Sequence, residues 1–277
     1  MSTSASSPPL LQPKARASAT DQRWSADAVN QQFRDYIFTR VSAKGQKFTK
    51  VDFRYSTFEN CYFRDCYFDS CDFTGCKFVG SNFHGSGFVG CKFDYTTFER
   101  TLIDVSILDT CCPAFENLKG RFARTLRANY QSLGDAAGVN KAVSIELQAT
   151  GIHLYKAWRS NESYYRKKYS GVQRLTSFLA WARFRVLDFI WGNGESPFKL
   201  VRSTILFLAL LALCDVFSNR DPRLVESYWA ALLYVPQVFL GAAVSPFGGL
   251  FSAAIIFVRL IVFGLFVSLL VRRFAWR

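Results

Sequence analysis

The chain has 277 residues, a net charge of +13 and 50% hydrophobic residues, with 28 Phe, eight Cys and two His. That length can hold two domains, and strong basicity with such hydrophobicity points to a membrane or to nucleic acid. A Walker loop, HExxH, GxSxG and CxxC spacing are all missing, so the sequence offers no enzymatic motif and no zinc framework, and no cofactor is expected.

Residues 1–29 are Ser-, Ala-, Pro- and Gln-rich and hold no signal-peptide core, so they read as a disordered N-terminal arm. A degenerate first coil begins near Asn30, since Phe33 and Phe38 already stand in phase with the regular phenylalanines from Phe48 onward.

From Phe48 to Phe98 a phenylalanine stands at every fifth position, including Phe58, Phe63, Phe68, Phe73, Phe78, Phe83, Phe88 and Phe93, and Ile103 and Leu108 continue the phase. Two residues before each stands a smaller side chain, for example Ser56, Cys61, Cys66, Cys71, Cys76 and Ser81; Gln46 is the exception. A step of five scatters residues around an α-helix and alternates them across a flat strand. Both positions point inward only if the chain turns a corner every five residues. Four sides then close a square coil whose layers stack at about 4.8 Å, and residue i sits over i+20. This arrangement puts Phe58, Phe78 and Phe98 in one column and Cys71, Cys91 and Cys111 in another.

The pattern resembles the pentapeptide-repeat family, which implies a right-handed quadrilateral β-helix over residues 30–112, with thirteen clear repeats making about three coils, a stub about 15 Å tall. The family serves many roles, so function must come from what is attached. Some members mimic DNA against topoisomerases. Mimicry wants an acidic, long coil, whereas residues 46–110 hold seven Lys/Arg and nine Asp/Glu, a net of −2. The cysteines read as small reduced thiols used for packing, in keeping with a reducing cytoplasm. A Cys71–Cys91 disulfide is the rival, and parallel side chains on stacked strands fit its geometry poorly. His84 falls at an outward repeat position, and His153 lies on a predicted helix without a carboxylate cluster.

Residues 113–199 read as a helical linker. Cys112-Pro113 ends the coil, and Phe115, Leu118, Phe122, Leu126 and Tyr130 take up helical spacing. Gly134 stops that helix and Asp135 caps a second, which runs to about Trp158 with Val139, Ala142, Ile145, Ala149 and Ile152 on one face. An apolar helix here can plug the open end of the coil. Residues 156–202 carry ten Lys/Arg against Glu162, Asp188 and Glu195, a net of +7. Within them, Leu175–Trp191 interleaves aromatic and basic residues, which suits an interfacial helix on anionic lipid. Nucleic acid is the rival partner, and the apolar segments beyond residue 200 favour lipid.

Residues 200–277 read as a membrane domain with two spans, about 200–217 and 250–271, the first requiring Arg202 to snorkel outward. The apolar segment between them reads as a re-entrant helix or as a third span or interfacial helix; Tyr228–Tyr234 is too short to cross and Pro236 is expected to break it. Helix, short re-entrant helix, loop and helix resemble the two-helix pore-loop module of potassium-type channels. The resemblance implies a homotetramer conducting ions, with Pro236, Phe239, Leu240, Gly241, Ala242 and Ala243 forming the pore loop. The potassium filter reads Thr-Val-Gly-Tyr-Gly; this chain has Phe239-Leu240-Gly241-Ala242-Ala243, so strong potassium selectivity is not implied. Arg259 falls near the middle of the second span and is expected to face a pore or to pair with Asp215 or Glu226. The sequence therefore reads as a bacterial inner-membrane channel-like protein with both termini cytoplasmic. The repeat surface is free for an unknown cytoplasmic partner or ligand. A non-conducting membrane-anchored scaffold is the alternative.

Overall fold

The computed structural model describes residues 16–274, which form two units, one up to His153 and one from Leu154 onward.

The first unit is a square β-coil. Its strands are β1 (Ser18–Thr20), β2 (Ala28–Val29), β3 (Ile37–Thr39), β4 (Ser42–Lys44), β5 (Lys47–Thr49), β6 (Thr57–Glu59), β7 (Tyr62–Arg64), β8 (Tyr67–Asp69), β9 (Lys77–Val79), β10 (Gly87–Val89) and β11 (Thr97–Glu99). One face stacks β1-β3-β6-β9-β11 and the next β2-β5-β8-β10, all parallel. The third face joins β4-β7 to the bridges Tyr62–Asn82 and Asn82–Leu102, and the fourth runs through the bridges Gln32–Asp52, Asp52–Asp72 and Asp72–Lys92. The expected i+20 register holds: Phe58 pairs with Phe78, and Phe78 with Phe98. Their rings stack at 4.8 and 5.1 Å, nearly parallel. The Phe48–Phe68 and Phe53–Phe73 rings stack the same way at 4.8 and 5.1 Å. All of these rings are buried.

The small inward residues do more than fit. Ser81 Oγ accepts the Cys61 N–H at 3.0 Å and donates to the Phe58 carbonyl at 3.2 Å; Ser86 does the same for Cys66 and Phe63. Cys61 and Cys76 donate to the carbonyls of Phe38 and Phe53 in the preceding coil. Each hydroxyl or thiol therefore ties one layer to the last and satisfies buried main chain. All eight cysteines are free thiols, Cys71 and Cys91 included.

The corners carry a signal that the periodicity of Phe and small residues does not reveal. From Asn30 to Arg100, every fifth residue has positive φ, two positions after the central residue of each repeat. In the middle coils these corners are Asn60, Asp65, Ser70, Gly75, Gly80, Gly85 and Gly90, mostly residue types that tolerate the left-handed region. At Gly75 the missing Cβ also makes room for the Tyr55 ring one layer away, which a Cβ would approach to 2.6 Å.

The lower boundary of the coil differs from expectation. Residues 16–29, expected to belong to a disordered arm, already form the first layer, while residues 1–15 lie outside the described residues. The layer escapes the repeat pattern because it is one residue short: Ser18 pairs with Ile37, 19 residues on, whereas Ala28 pairs with Phe48, 20 on. The shortened phase puts Trp24 in a central position, where its indole meets Phe33, Phe38, Phe48, Phe53 and Phe63 at 5.2–6.4 Å. One face is thus five strands deep, more than the three coils expected.

The upper boundary differs too. The last repeats give way to α1 (Ile107–Thr110), so Leu108 sits on a helical turn, still buried. Then α2 (Glu116–Leu133) lies across β11 with Leu118, Phe122, Leu126 and Tyr130 buried, while Phe115 only precedes it and stays exposed. Phe122 stands 5.7 Å from the Phe93 ring and 6.0 Å from Phe98, closing the end of the Phe columns. Gly134 ends α2 in the left-handed region, and Asp135 accepts the Gly138 N–H at 2.9 Å to start α3 (Ala136–Arg159).

The second unit holds the end of α3, α4 (Ser163–Lys168), α5 (Val172–Trp191), a short turn at Gly192–Gly194, α6 (Pro197–Asn219), α7 (Val225–Leu240) and α8 (Gly249–Phe274). Leu211, Ala212, Val216, Ala231, Val235, Phe239 and Ile255 make its core. α6 and residues Gly249–Val271 of α8 are long and apolar enough to cross a membrane.

Candidate functional site

The sequence points to a site in the loop after Tyr234 and at Arg259. Pro236, expected to break the preceding helix, lies inside α7, which continues to Leu240. A proline removes one helical hydrogen bond and crowds the carbonyl four residues back. Gln237 Nε2 donates to the Leu233 carbonyl at 3.1 Å, one residue past the Leu232 carbonyl that an N–H at 236 would have met. Gly241 then closes α7 with φ +82°. Its N–H donates to Val238 at 3.0 Å, and the Ala242 N–H to Gln237 at 2.8 Å, a Schellman motif that needs a left-handed residue.

The chain reverses there. Tyr234 Oη donates to the Val244 carbonyl at 2.7 Å, so the loop doubles back along α7. Ser252 Oγ bonds Ser245 Oγ at 2.7 Å and the Phe247 carbonyl at 3.0 Å, fixing the loop to the first turn of α8.

Two contacts set the relative depth of the helices. The Phe239 ring, at the end of α7, lies 6.1 Å from Phe207, near the middle of α6. α7 therefore ends about halfway along its neighbour. Arg259 reaches Gly241, since a Cβ on Gly241 would overlap its Nη1 and lie 3.6 Å from its Cζ. Arg259 is about 15 Å of helix from the start of α8. α8 thus begins well behind the end of α7, passes it, and runs on. Ile255 belongs to the same buried core as residues of α6 and α7.

Of the named loop residues, Phe239 is buried in the helical core, Leu240 is 74% exposed, Gly241 and Ala242 are exposed, and Ala243 is half-buried. Asp215 does not meet Arg259. It is buried and accepts Arg220 Nε at 2.7 Å and Asn219 Nδ2 at 3.0 Å. Residues four and five positions on in the chain, at the end of α6, reach this carboxylate first. Arg220 lies over the Tyr234 ring at 5.7 Å, tying the end of α6 to α7. Glu226 sits in the first turn of α7, where a carboxylate suits the helix dipole. Arg202 is exposed, donates to the Phe189 carbonyl at 2.6 Å and lies over that ring at 4.5 Å. Lys199 pairs with Asp188 at 2.8 Å, so both bases near the start of α6 fold back onto α5.

α5 leaves Val172, Leu175, Leu179, Val186 and Phe189 exposed beside Arg174, Arg183 and Arg185. Its aromatic residues Phe178 and Trp181 gather with Tyr155 and Trp158, at ring distances of 5.2–6.1 Å.

A stacked square β-coil joined to helices long enough to cross a membrane defines a repeat protein with an apolar helical unit. Residues 47–85 match the family profile described as Pentapeptide repeats, in eight copies. Among solved structures, trypsin-treated QnrB1, described as a plasmid-mediated fluoroquinolone resistance protein, aligns at 14% identity and a TM-score of 0.19, over 31% of this chain and 62% of its own. The chain therefore spans less than two thirds of that structure's length. No curated protein matches the chain.

Proposed function

We propose that this chain is an inner-membrane pore-loop protein, in which α6 and α8 span the bilayer and α7 with residues 241–248 dips in and returns to the same side. Four copies surround the path, with the repeat coil in the cytoplasm as an assembly or sensing domain. The observation that carries this reading is depth. α7 ends beside the middle of α6, at Phe207, and α8 starts back from that level and passes Gly241. Non-helical backbone at membrane depth needs protein or water around it, and a ring of subunits supplies both. Closed rotational symmetry is the usual way identical chains meet. The basic, apolar exposed surface of α5 suits an anionic membrane surface on the cytoplasmic side.

The single glycine in the loop, without a potassium-type filter, favours weak selectivity and leaves a non-conducting membrane scaffold as the second reading. DNA mimicry is disfavoured by the repeats' net charge of only −2 over residues 46–110 and by a surface on which Asp52 pairs with Arg34 and Arg54, and Asp21 with Arg40. The test is planar-bilayer recording of the purified full chain beside its oligomer mass in detergent. Rings that conduct support the pore. Rings that stay silent, or a monodisperse monomer, select the scaffold.

A further inference from the structure

Resting on the pore reading above, we infer that the path is selective for small inorganic anions, and that Arg259 is the residue that makes it so.

In a pore lined by the carboxyl ends of short helices, the end of each helix carries about half a negative charge, which favours cations. Here that end is Gly241, and it is occupied by a guanidinium. Arg259 Cζ would stand 3.6 Å from a Gly241 Cβ, and the absence of that Cβ is what admits the nearer nitrogen. A full positive charge against about half a negative one leaves a net of roughly +0.5 per subunit, so about +2 around a ring of four. The sign of the local field is inverted.

No other charge facing this point restores it. α6 has no ionisable residue between Arg202 and Asp215 other than Cys214. α7 has no acid or base after Glu226 except the phenols of Tyr228 and Tyr234, the loop 241–248 has none, and α8 has none from Gly249 to Val271 apart from Arg259. Asp215, the acid expected to pair with Arg259, is held by Arg220 and Asn219. Among the described residues, no carboxylate lies within ion-pair distance of Arg259. An unpaired arginine at membrane depth is costly unless it faces water or a counter-ion. A ring of such residues is the recognised way to build an anion path. The Tyr234 and Ser252 hydroxyls of the same helices are donated to the loop, and the guanidinium is the strong donor at Gly241.

The experiment is reversal-potential measurement on the full chain in planar bilayers under a KCl gradient, with chloride then replaced by gluconate. Wild type should favour chloride over potassium by roughly tenfold, and gluconate should remove most of the current. Arg259→Lys should keep the preference, and Arg259→Gln should bring the ratio to about 1 or below. Wild-type current that reverses toward the potassium potential overturns anion selectivity and leaves the pore standing. An unchanged ratio in Arg259→Gln overturns the role of Arg259. Silence from assembled wild-type rings overturns the pore and this inference together. If Arg259→Gln fails to assemble, the wild-type reversal potential and the gluconate substitution still decide the sign.

Discussion

Asn129 closes the coil through a reciprocal pair with Thr101: its Nδ2 donates to the Thr101 carbonyl at 2.8 Å, and its Oδ1 accepts the Thr101 N–H at 2.8 Å. The Nδ2 takes the place of the peptide N–H, and the Oδ1 that of the inward hydroxyl, that a further layer would have supplied. Thr125 Oγ1 does the same for the Phe98 N–H at 3.1 Å. Both residues lie on α2, so that helix covers the rings and pairs part of the ladder's last edge at once.

Asn129→Ala should destabilise the repeat unit by roughly 2–3 kcal/mol, because two buried main-chain groups lose their partner. Chemical denaturation with hydrogen exchange at Thr101 reads it. Full retention of Thr101 protection in the variant would show that the pair is dispensable.

Phe78→Ala should cost roughly 3–5 kcal/mol, since its ring is buried between Phe58 and Phe98. The adjacent Lys77→Ala, at an exposed position, should cost under about 0.5 kcal/mol. Equal losses at these neighbouring positions would contradict the inward and outward assignment.

Burial pushes the Cys61 thiol up from 9.0 to about 11 and raises Cys76 as well. A folded value above the unfolded one means that the protonated thiol is favoured by folding. This contribution is complete below about pH 9 and is lost as pH rises through about 11. The denaturation midpoint of wild type should therefore fall more steeply over that window than that of Cys61→Ser. Parallel pH profiles would rule the thiol out as the cause.

Gly241→Val should leave the protein in the membrane and abolish conduction. The left-handed φ of +82° strains any β-branched residue, and the new Cβ displaces Arg259. Membrane fractionation beside bilayer current separates the two effects, and wild-type current from the variant would remove Gly241 from the path.

Reporter fusions after Arg277 and within residues 218–223 should report opposite sides of the membrane, with the carboxyl terminus cytoplasmic. The basic stretch 156–202 carries +7, and the connector from Asp215 to Leu250 holds three acids against two arginines. Reporters on one side would mean that α7 crosses.

What the chain determined by itself comes from periodicity and length. A period of five admits neither an α-helix nor a flat strand, so the square coil, its Phe columns and its i+20 register were legible without coordinates. Two long apolar stretches announced helices that can cross a membrane for the same local reason. Only the tertiary structure decided what closes the coil and what meets in the apolar unit. Trp24 lost its phase to a one-residue shortening, Asn129 has no motif, and Pro236 stays helical within the packing of α6–α8. Arg259 and Gly241 are brought together by a chain reversal after α7. Each of these rests on a partner from another layer or another helix, and pairings at that range leave no period in the sequence to read.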